Sequence, residues 1–224
     1  MLNHVLIIPD GNRRYAEQKD IDPKVVYKWI SDNTTTEIIR FFLVQKKIKE
    51  LSIFAISRNN VLNRKKEHLQ DIYDAQTTLY EEWAKNKSFA KAGIKFNFIG
   101  DFSLIPSAYR KAAEKLQKES MDRKNHLCNL LVAYDGQQEI IEAVKKAKNS
   151  LVADSKQFFK FLQIRTPIDL VIRTGKEKRF SGCPLYQTSY SEFIFADYHY
   201  PELTIEKLEE IVREYDNRNR RFGV

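Results

Sequence analysis

Two stretches of this 224-residue chain carry residue types suited to phosphate chemistry. In Ile7-Ile8-Pro9-Asp10-Gly11-Asn12-Arg13-Arg14-Tyr15 an apolar run ends in an acid, a Gly-Asn turn and two arginines. Such a loop can aim backbone N–H groups at an anion, and the arginines add charge-assisted donors for phosphate oxygens. A lone carboxylate beside such a cradle makes chemical sense if Mg²⁺ bridges it to the phosphates, because that ion is held by one or two carboxylates plus substrate oxygens. Taken alone, the pentapeptide 10–14 is better explained as a tight turn flanked by solvated arginines. The second stretch, Asp169-Leu170-Val171-Ile172-Arg173-Thr174-Gly175-Lys176-Glu177-Lys178-Arg179-Phe180-Ser181, repeats the logic. Lys176 and Lys178 read as a solvated run, but Arg173 abuts an apolar strand, with Arg179 and Ser181 following it. Two cradles point to two phosphorylated substrates.

The elements that must position these loops are legible as alternation. Short apolar runs at Val5–Ile8, Leu51–Ile56, Ile94–Ile99, Leu127–Ala133, Leu170–Ile172 and Phe193–Phe195 predict six strands. Helical spacing between or after them predicts helices over Thr34–Lys49, Lys66–Lys91, Ser107–Glu119, Gln138–Ser150 and Ile205–Arg213. The span Asn149–Thr166 is the hardest to assign; Phe158, Phe159, Phe161 and Leu162 fit a short amphipathic helix. Strand-helix alternation implies a single α/β domain with a six-stranded, mostly parallel sheet flanked by helices. Ligands in such folds gather at the carboxyl ends of strands. The polar clusters follow that rule: Asp10–Arg14, Ser57-Arg58-Asn59-Asn60, Asp101, Asp135-Gly136 and Arg173-Thr174-Gly175 each follow a strand.

Composition narrows the partners. Lys plus Arg total 38 against 30 Asp plus Glu, a net charge of +8, so an anionic partner is expected. No recognised nucleic-acid motif is present, and neither G-x-x-x-x-G-K-[S/T] nor G-x-G-x-x-G occurs. His4, His68, His126 and His199 lack zinc-site spacing, and the D-D-x-x-D motif of trans-type prenyl synthases is absent. Cys128 and Cys183 are the only cysteines, and with no signal peptide they read as reduced cytoplasmic thiols. No apolar run approaches the roughly 20 residues needed to cross a bilayer, so any membrane contact is expected to be peripheral.

The ordered motifs resemble those of the cis-prenyltransferase family, which includes undecaprenyl and dehydrodolichyl diphosphate synthases. The family's H-x-x-x-x-M-D-G-N-x-R-[W/Y]-A resembles His4 to Ala16, its Y-A-F-S-x-E-N-W-x-R resembles Phe54 to Arg64, and its I-G-D recurs at Ile99–Asp101. Its N-Y-G-G-R-x-E-I resembles Ala133–Ile140; its D-L-V-I-R-T-G-G-E-x-R-x-S and Q-x-x-Y-x-E-x-x-F resemble Asp169–Ser181 and Gln187–Phe195. The terminal R-R-F-G is Arg220-Arg221-Phe222-Gly223. The resemblance implies that Asp10 coordinates Mg²⁺ with support from Glu192. It implies further that Gly11, Asn12, Arg13 and Arg14 hold an allylic diphosphate, that Ser57, Asn60 and Arg64 line the reaction centre, and that Arg173, Arg179 and Ser181 bind isopentenyl diphosphate. Arg221 and Gly223 match an R-x-G tail that reaches a partner's active site, which implies a homodimer. An apolar tunnel is expected for the growing chain, with Ile38, Ile39, Phe41, Phe42, Val44, Leu79, Tyr80, Trp83 and Phe89 as candidate walls.

The departures cluster around the substrate pockets. The family's Arg and His after the first loop are missing, and Lys24 and Tyr27 stand nearby. Asn59 and Val61 replace Glu and Trp in the second block, with one apparent insertion before Arg64. Pro9 replaces Met, and Asp135 and Gln137 replace Gly and Arg. Two activities remain open: regular head-to-tail addition of isopentenyl diphosphate giving a short- to medium-chain product, and irregular head-to-middle joining of two allylic diphosphates, as in the lavandulyl and cyclolavandulyl subset. A catalytically silent accessory subunit is the third possibility, and retention of Asp10, Asn60 and Glu192 argues against it.

Overall fold

A computed structural model describes residues 2–152 and 154–218. Six strands, β1 (His4–Ile8), β2 (Glu50–Ser57), β3 (Ile94–Ile99), β4 (His126–Tyr134), β5 (Leu170–Arg173) and β6 (Glu192–Phe195), form one sheet in the order β3-β4-β2-β1-β5-β6. Every pairing is parallel, so the expected mostly parallel sheet is wholly so. Parallel strands covered on both faces need no polar alternation, and all five residues of β1 are buried.

The helices are α1 (Asn12–Lys19), α2 (Pro23–Trp29), α3 (Thr36–Ile39), α4 (Arg58–Asn63), α5 (Lys66–Lys85), α6 (Lys87–Ala92), α7 (Ser107–Ser120), α8 (Gly136–Ala147), α9 (Ser155–Phe158) and α10 (Ile205–Asn217). Where a helix was expected from residue 34, the helical path starts at Pro23, in a favoured first position behind the Asp22 cap. Two wider π turns, Ile30–Thr35 and Arg40–Gln45, flank α3 and rotate side chains off the 3.6-residue period. The expected Lys66–Lys91 helix is two helices, because the Asn86 side chain accepts from the N–H groups of Ser88 and Phe89 and begins a new one.

The larger core lies on one sheet face, where Val5, Ile7, Leu51, Ile53 and Leu130 meet Leu79, Tyr80 and Trp83 of α5, Tyr109 and Leu116 of α7, and Leu208 and Ile211 of α10. A smaller cluster on the other face joins Leu6, Ile8, Phe54, Leu131 and Val171 to Ile164 and Ile168. In α8 the buried Glu139 carboxylate accepts from Tyr134, Gln187 and the backbone of Gln163 and Ile164, so it organises that face rather than reacting. Cys128 and Cys183 are buried free thiols. Among the described residues no helix is long and apolar enough to cross a membrane.

Candidate active site

Asp10 ends β1 and is pinned by the neighbouring loop. Its N–H donates to Thr174 Oγ1 at 3.0 Å, and that hydroxyl donates back to the Asp10 carbonyl at 2.9 Å. The Tyr200 N–H reaches the same carbonyl at 3.0 Å. Oδ1 accepts from the Gly11 N–H at 2.7 Å and from Arg14 at 3.1 Å, while Oδ2 accepts from Arg173 at 2.8 Å. Burial raises the Asp10 pKa, but the Arg173 hydrogen bond and charge, with Gly11 and Arg14, outweigh it and hold the carboxyl below the ordinary aspartate value. The group is therefore an anion at neutral pH.

The two loops touch through glycines. A Cβ on Gly175 would stand 2.7 Å from the Asp10 carbonyl carbon, and one on Gly11 would stand 2.3 Å from Nδ1 of buried His199. Both glycines have positive φ, +96° at Gly11 and +88° at Gly175, so backbone conformation and space agree in requiring them. The loop after β5 also holds Lys176 and Ser181 at positive φ, a strain often stored at functional sites.

These loops form the mouth of a cavity of about 1000 Å³. Asp10, Gly11, Asn12, Arg13 and Arg14 line it, with Ser57, Asn60 and Arg64 from the second loop and Arg173, Arg179 and Ser181 from the fifth. Arg173 is buried and donates to Ser181 Oγ at 3.0 Å and to the Arg179 carbonyl. Glu177 lies between Arg14 and Arg179 and pairs with both. Burial presses the Arg64 pKa down, but a guanidinium stays charged, and Tyr27 and Asp10 favour its charge. Ser57 Oγ accepts from the Asn60 N–H at 3.0 Å as the cap of α4, so it shapes the loop while facing the cavity.

Beyond the polar mouth the lining turns apolar, with Ile30, Ile53, Ile72, Ala75, Leu79, Tyr80, Trp83 and Leu130. Three expected walls, Leu79, Tyr80 and Trp83, line the cavity, whereas Ile38, Ile39, Phe41, Phe42 and Phe89 belong to the core without lining it and Val44 packs against that core. Phe96 stacks on Trp83 at 5.4 Å, Phe98 packs edge-on to Tyr80 at 5.0 Å, and the Tyr80 hydroxyl meets that of Tyr109 at 2.8 Å. That end is backed by interlocked rings.

Glu192 is not brought to Asp10 within the chain. It begins β6, level with Leu170 at the start of β5, so it sits at the amino end of a parallel sheet whose carboxyl end carries the site. Its carboxylate pairs with Arg218 at 2.9 Å instead. Arg221 and Gly223 lie outside the described residues. No group of three or more His, Cys, Asp or Glu side chains among the described residues could hold a metal ion. A divalent cation would take Asp10 together with diphosphate oxygens, on the part of its carboxylate that stays exposed to the cavity beside Arg14 and Arg173. Tyr27, Asp135 and Gln137, which stand among the departures from the family motifs, also line the cavity, as do Gln76 and Glu177, to which no motif assigns a role.

The prenyltransferase family model described as "Putative undecaprenyl diphosphate synthase" matches residues 8–223. The chain belongs to the cis-prenyltransferase family. A geranylgeranyl-diphosphate-specific tritrans,polycis-undecaprenyl-diphosphate synthase of Pyrobaculum aerophilum is 33% identical, covering 98% of this chain and 95% of its own length. The equivalent protein of Pyrococcus abyssi is 32% identical over 98% of this cis-prenyltransferase and 86% of its own length. Among solved structures, lavandulyl diphosphate synthase from Lavandula x intermedia in complex with dimethylallyl diphosphate superposes with a TM-score of 0.86 at 28% identity, covering 99% of this chain and 98% of that one.

Proposed function

We propose that this cis-prenyltransferase joins an allylic diphosphate to isopentenyl diphosphate with cis geometry, releasing a short- to medium-chain prenyl diphosphate. One observation carries the reading: a single cavity has arginines from two loops around Asp10 at its mouth and an apolar bore ending against Tyr80 and Trp83. Arg13, Arg14 and the first-loop N–H groups would hold the allylic diphosphate; Arg173, Arg179 and Ser181 would hold isopentenyl diphosphate. Mg²⁺ held by Asp10 would supply charge neutralisation for the departing diphosphate. The arginines stabilise the same developing charge, so the allylic C–O bond breaks with its electron pair on oxygen and the acceptor double bond attacks the cationic carbon. Apolar walls keep water from that carbon.

Irregular joining of two allylic diphosphates is the second reading, favoured by the likeness to lavandulyl diphosphate synthase and by the paired Arg13-Arg14. The Arg173, Arg179 and Ser181 set serves a dimethylallyl diphosphate acceptor equally well. A homodimer is supported by the R-x-G tail and by Ile141 and Val144, which are 49% and 56% exposed on α8.

Incubation of the protein and Mg²⁺ with dimethylallyl, geranyl, farnesyl or longer allylic diphosphates, each with and without isopentenyl diphosphate, separates the readings. Product only when isopentenyl diphosphate is present supports the regular reaction; product from dimethylallyl diphosphate alone assigns the irregular one. Absence of product from every combination, with or without a second polypeptide, would overturn both.

A further inference from the structure

The condensation must lose a proton, and the mouth of the cavity holds a carboxylate not yet given a role. Asp135 lines it, and the residue caps α8, with Oδ1 accepting from the N–H groups of Gln137 and Gln138 at 3.0 Å each. Oδ2 faces Gly182, close enough that a Cβ there would stand 2.8 Å from it. Gly182 follows Ser181, Ser181 accepts from Arg173 at 3.0 Å, and Arg173 donates to Asp10 at 2.8 Å. A short chain of contacts therefore ties Asp135 to the second diphosphate cradle.

Four carboxylates border this cavity. Asp10 and Glu177 are engaged by arginines, and Glu17 is exposed on α1. Among the described residues Asp135 alone is half-buried beside the 173–182 loop with no ion pair. Resting on the prenyl-transfer reading above, we propose that Asp135 is the catalytic base that takes the proton as the new double bond forms.

The acceptor's chemistry fixes where that base must stand. Attack by the terminal alkene carbon of isopentenyl diphosphate forms the C–C bond as the allylic C–O bond breaks, leaving a tertiary cation at C3. The C2–H electron pair then becomes the new C=C, and the proton passes to Oδ2 of Asp135 and on to water. C2 adjoins the carbon bearing the diphosphate oxygen. A base for it must therefore sit against the cradle that grips that diphosphate, as Asp135 does against Ser181 and Gly182. A proton beside a carbocation is strongly acidic, so the position of the base decides.

Asp135→Asn keeps a capping oxygen for α8 while removing the base. The assignment expects kcat to fall about 100-fold, with KM for isopentenyl diphosphate changed by less than about three-fold. Isopentenyl diphosphate deuterated at C2 should show a larger primary isotope effect in the variant than in the natural protein, because proton loss becomes rate-limiting. Asp135→Ser, which also caps, should behave alike and guards against a folding artefact. Unchanged kcat and isotope effect would overturn the assignment in favour of the departing diphosphate as base. A rise in KM alone would overturn it in favour of a binding role. A natural protein that transfers no prenyl group at all would overturn the underlying reading and this assignment with it.

Discussion

Nη2 of Arg173 lies 2.8 Å from Oδ2 of Asp10, across 163 residues of sequence. The arginine side chain is 4% exposed and the aspartate 31%, so a buried cation is matched to a carboxylate that still faces the cavity. Nη1 is spent on Ser181 and the Arg179 carbonyl, and Nε is buried with no partner. Asp10 thus does two jobs: it balances Arg173 and presents charge to the cavity.

That double role makes two substitutions distinguishable. Asp10→Asn should lose turnover by about 10²-fold or more while keeping an acceptor for Arg173. Asp10→Ala should lose turnover and also about 1–3 kcal/mol of stability, because it strands a buried guanidinium. Product assays at saturating Mg²⁺ beside thermal melts check both; an active Asp10→Ala protein would remove Asp10 from the chemistry.

Gly175→Ala tests the contact between the loops. A methyl there meets the Asp10 carbonyl carbon at 2.7 Å and the Gly11 nitrogen at 2.9 Å, both backbone, at a φ of +88°. The expected cost is about 2–4 kcal/mol, with turnover down about 10²-fold because the loops are pushed apart. A melt and a rate on the purified variant measure it.

Tyr80→Leu tests the floor of the bore. Removing part of a ring held by Phe98 and Tyr109 should lengthen the product distribution at a cost of about 1–3 kcal/mol. Tyr80→Phe keeps the bulk and should leave chain length as it is. Mass analysis of the products compares them, and an unaltered distribution in Tyr80→Leu would mean the chain ends elsewhere.

Stability should depend on His4. Burial lowers its pKa, against the opposing pull of Glu50, the Pro167 backbone and Asp169, so it folds neutral between Ser52 and Thr166. The unfolded chain binds a proton at this histidine near its ordinary value of 6.5. Stability is therefore full above that pH and declines as pH falls below it. His4→Gln should flatten the decline in melts taken between about pH 5 and 7.5.

Much of this was legible beforehand for physical reasons. Buried parallel strands are nearly continuous apolar runs, and all six were recognisable; β5 and β6 were only a residue short because Arg173 and Glu192 interrupt the pattern. The loops carrying Asp10 and Arg173 follow directly from strand ends. Helix α4 leaves no mark in the sequence because Arg58–Asn63 has no buried residue, hence no periodic signal. The onset of the helical path at Pro23 is hidden because π turns blur the 3.6-residue spacing downstream. Glu192 illustrates a different limit: a motif gives residue order, whereas strand direction decides which end of the sheet a side chain reaches. Asp135 is placed at the rim by following a strand, but its approach to Gly182 and the pairing of Glu177 with Arg14 and Arg179 need three dimensions, since loops far apart in sequence converge there.

Strands β1 and β5 are immediate hydrogen-bonded neighbours, with Ile8 opposite Arg173. Adjacent strands run about 4.8 Å apart, so the sheet works as a ruler under the two cradles. On the proposed prenyl transfer, the gap between the two diphosphates would then be set by backbone pairing. Surface loops can drift in sequence and alter what is gripped while that spacing stays fixed.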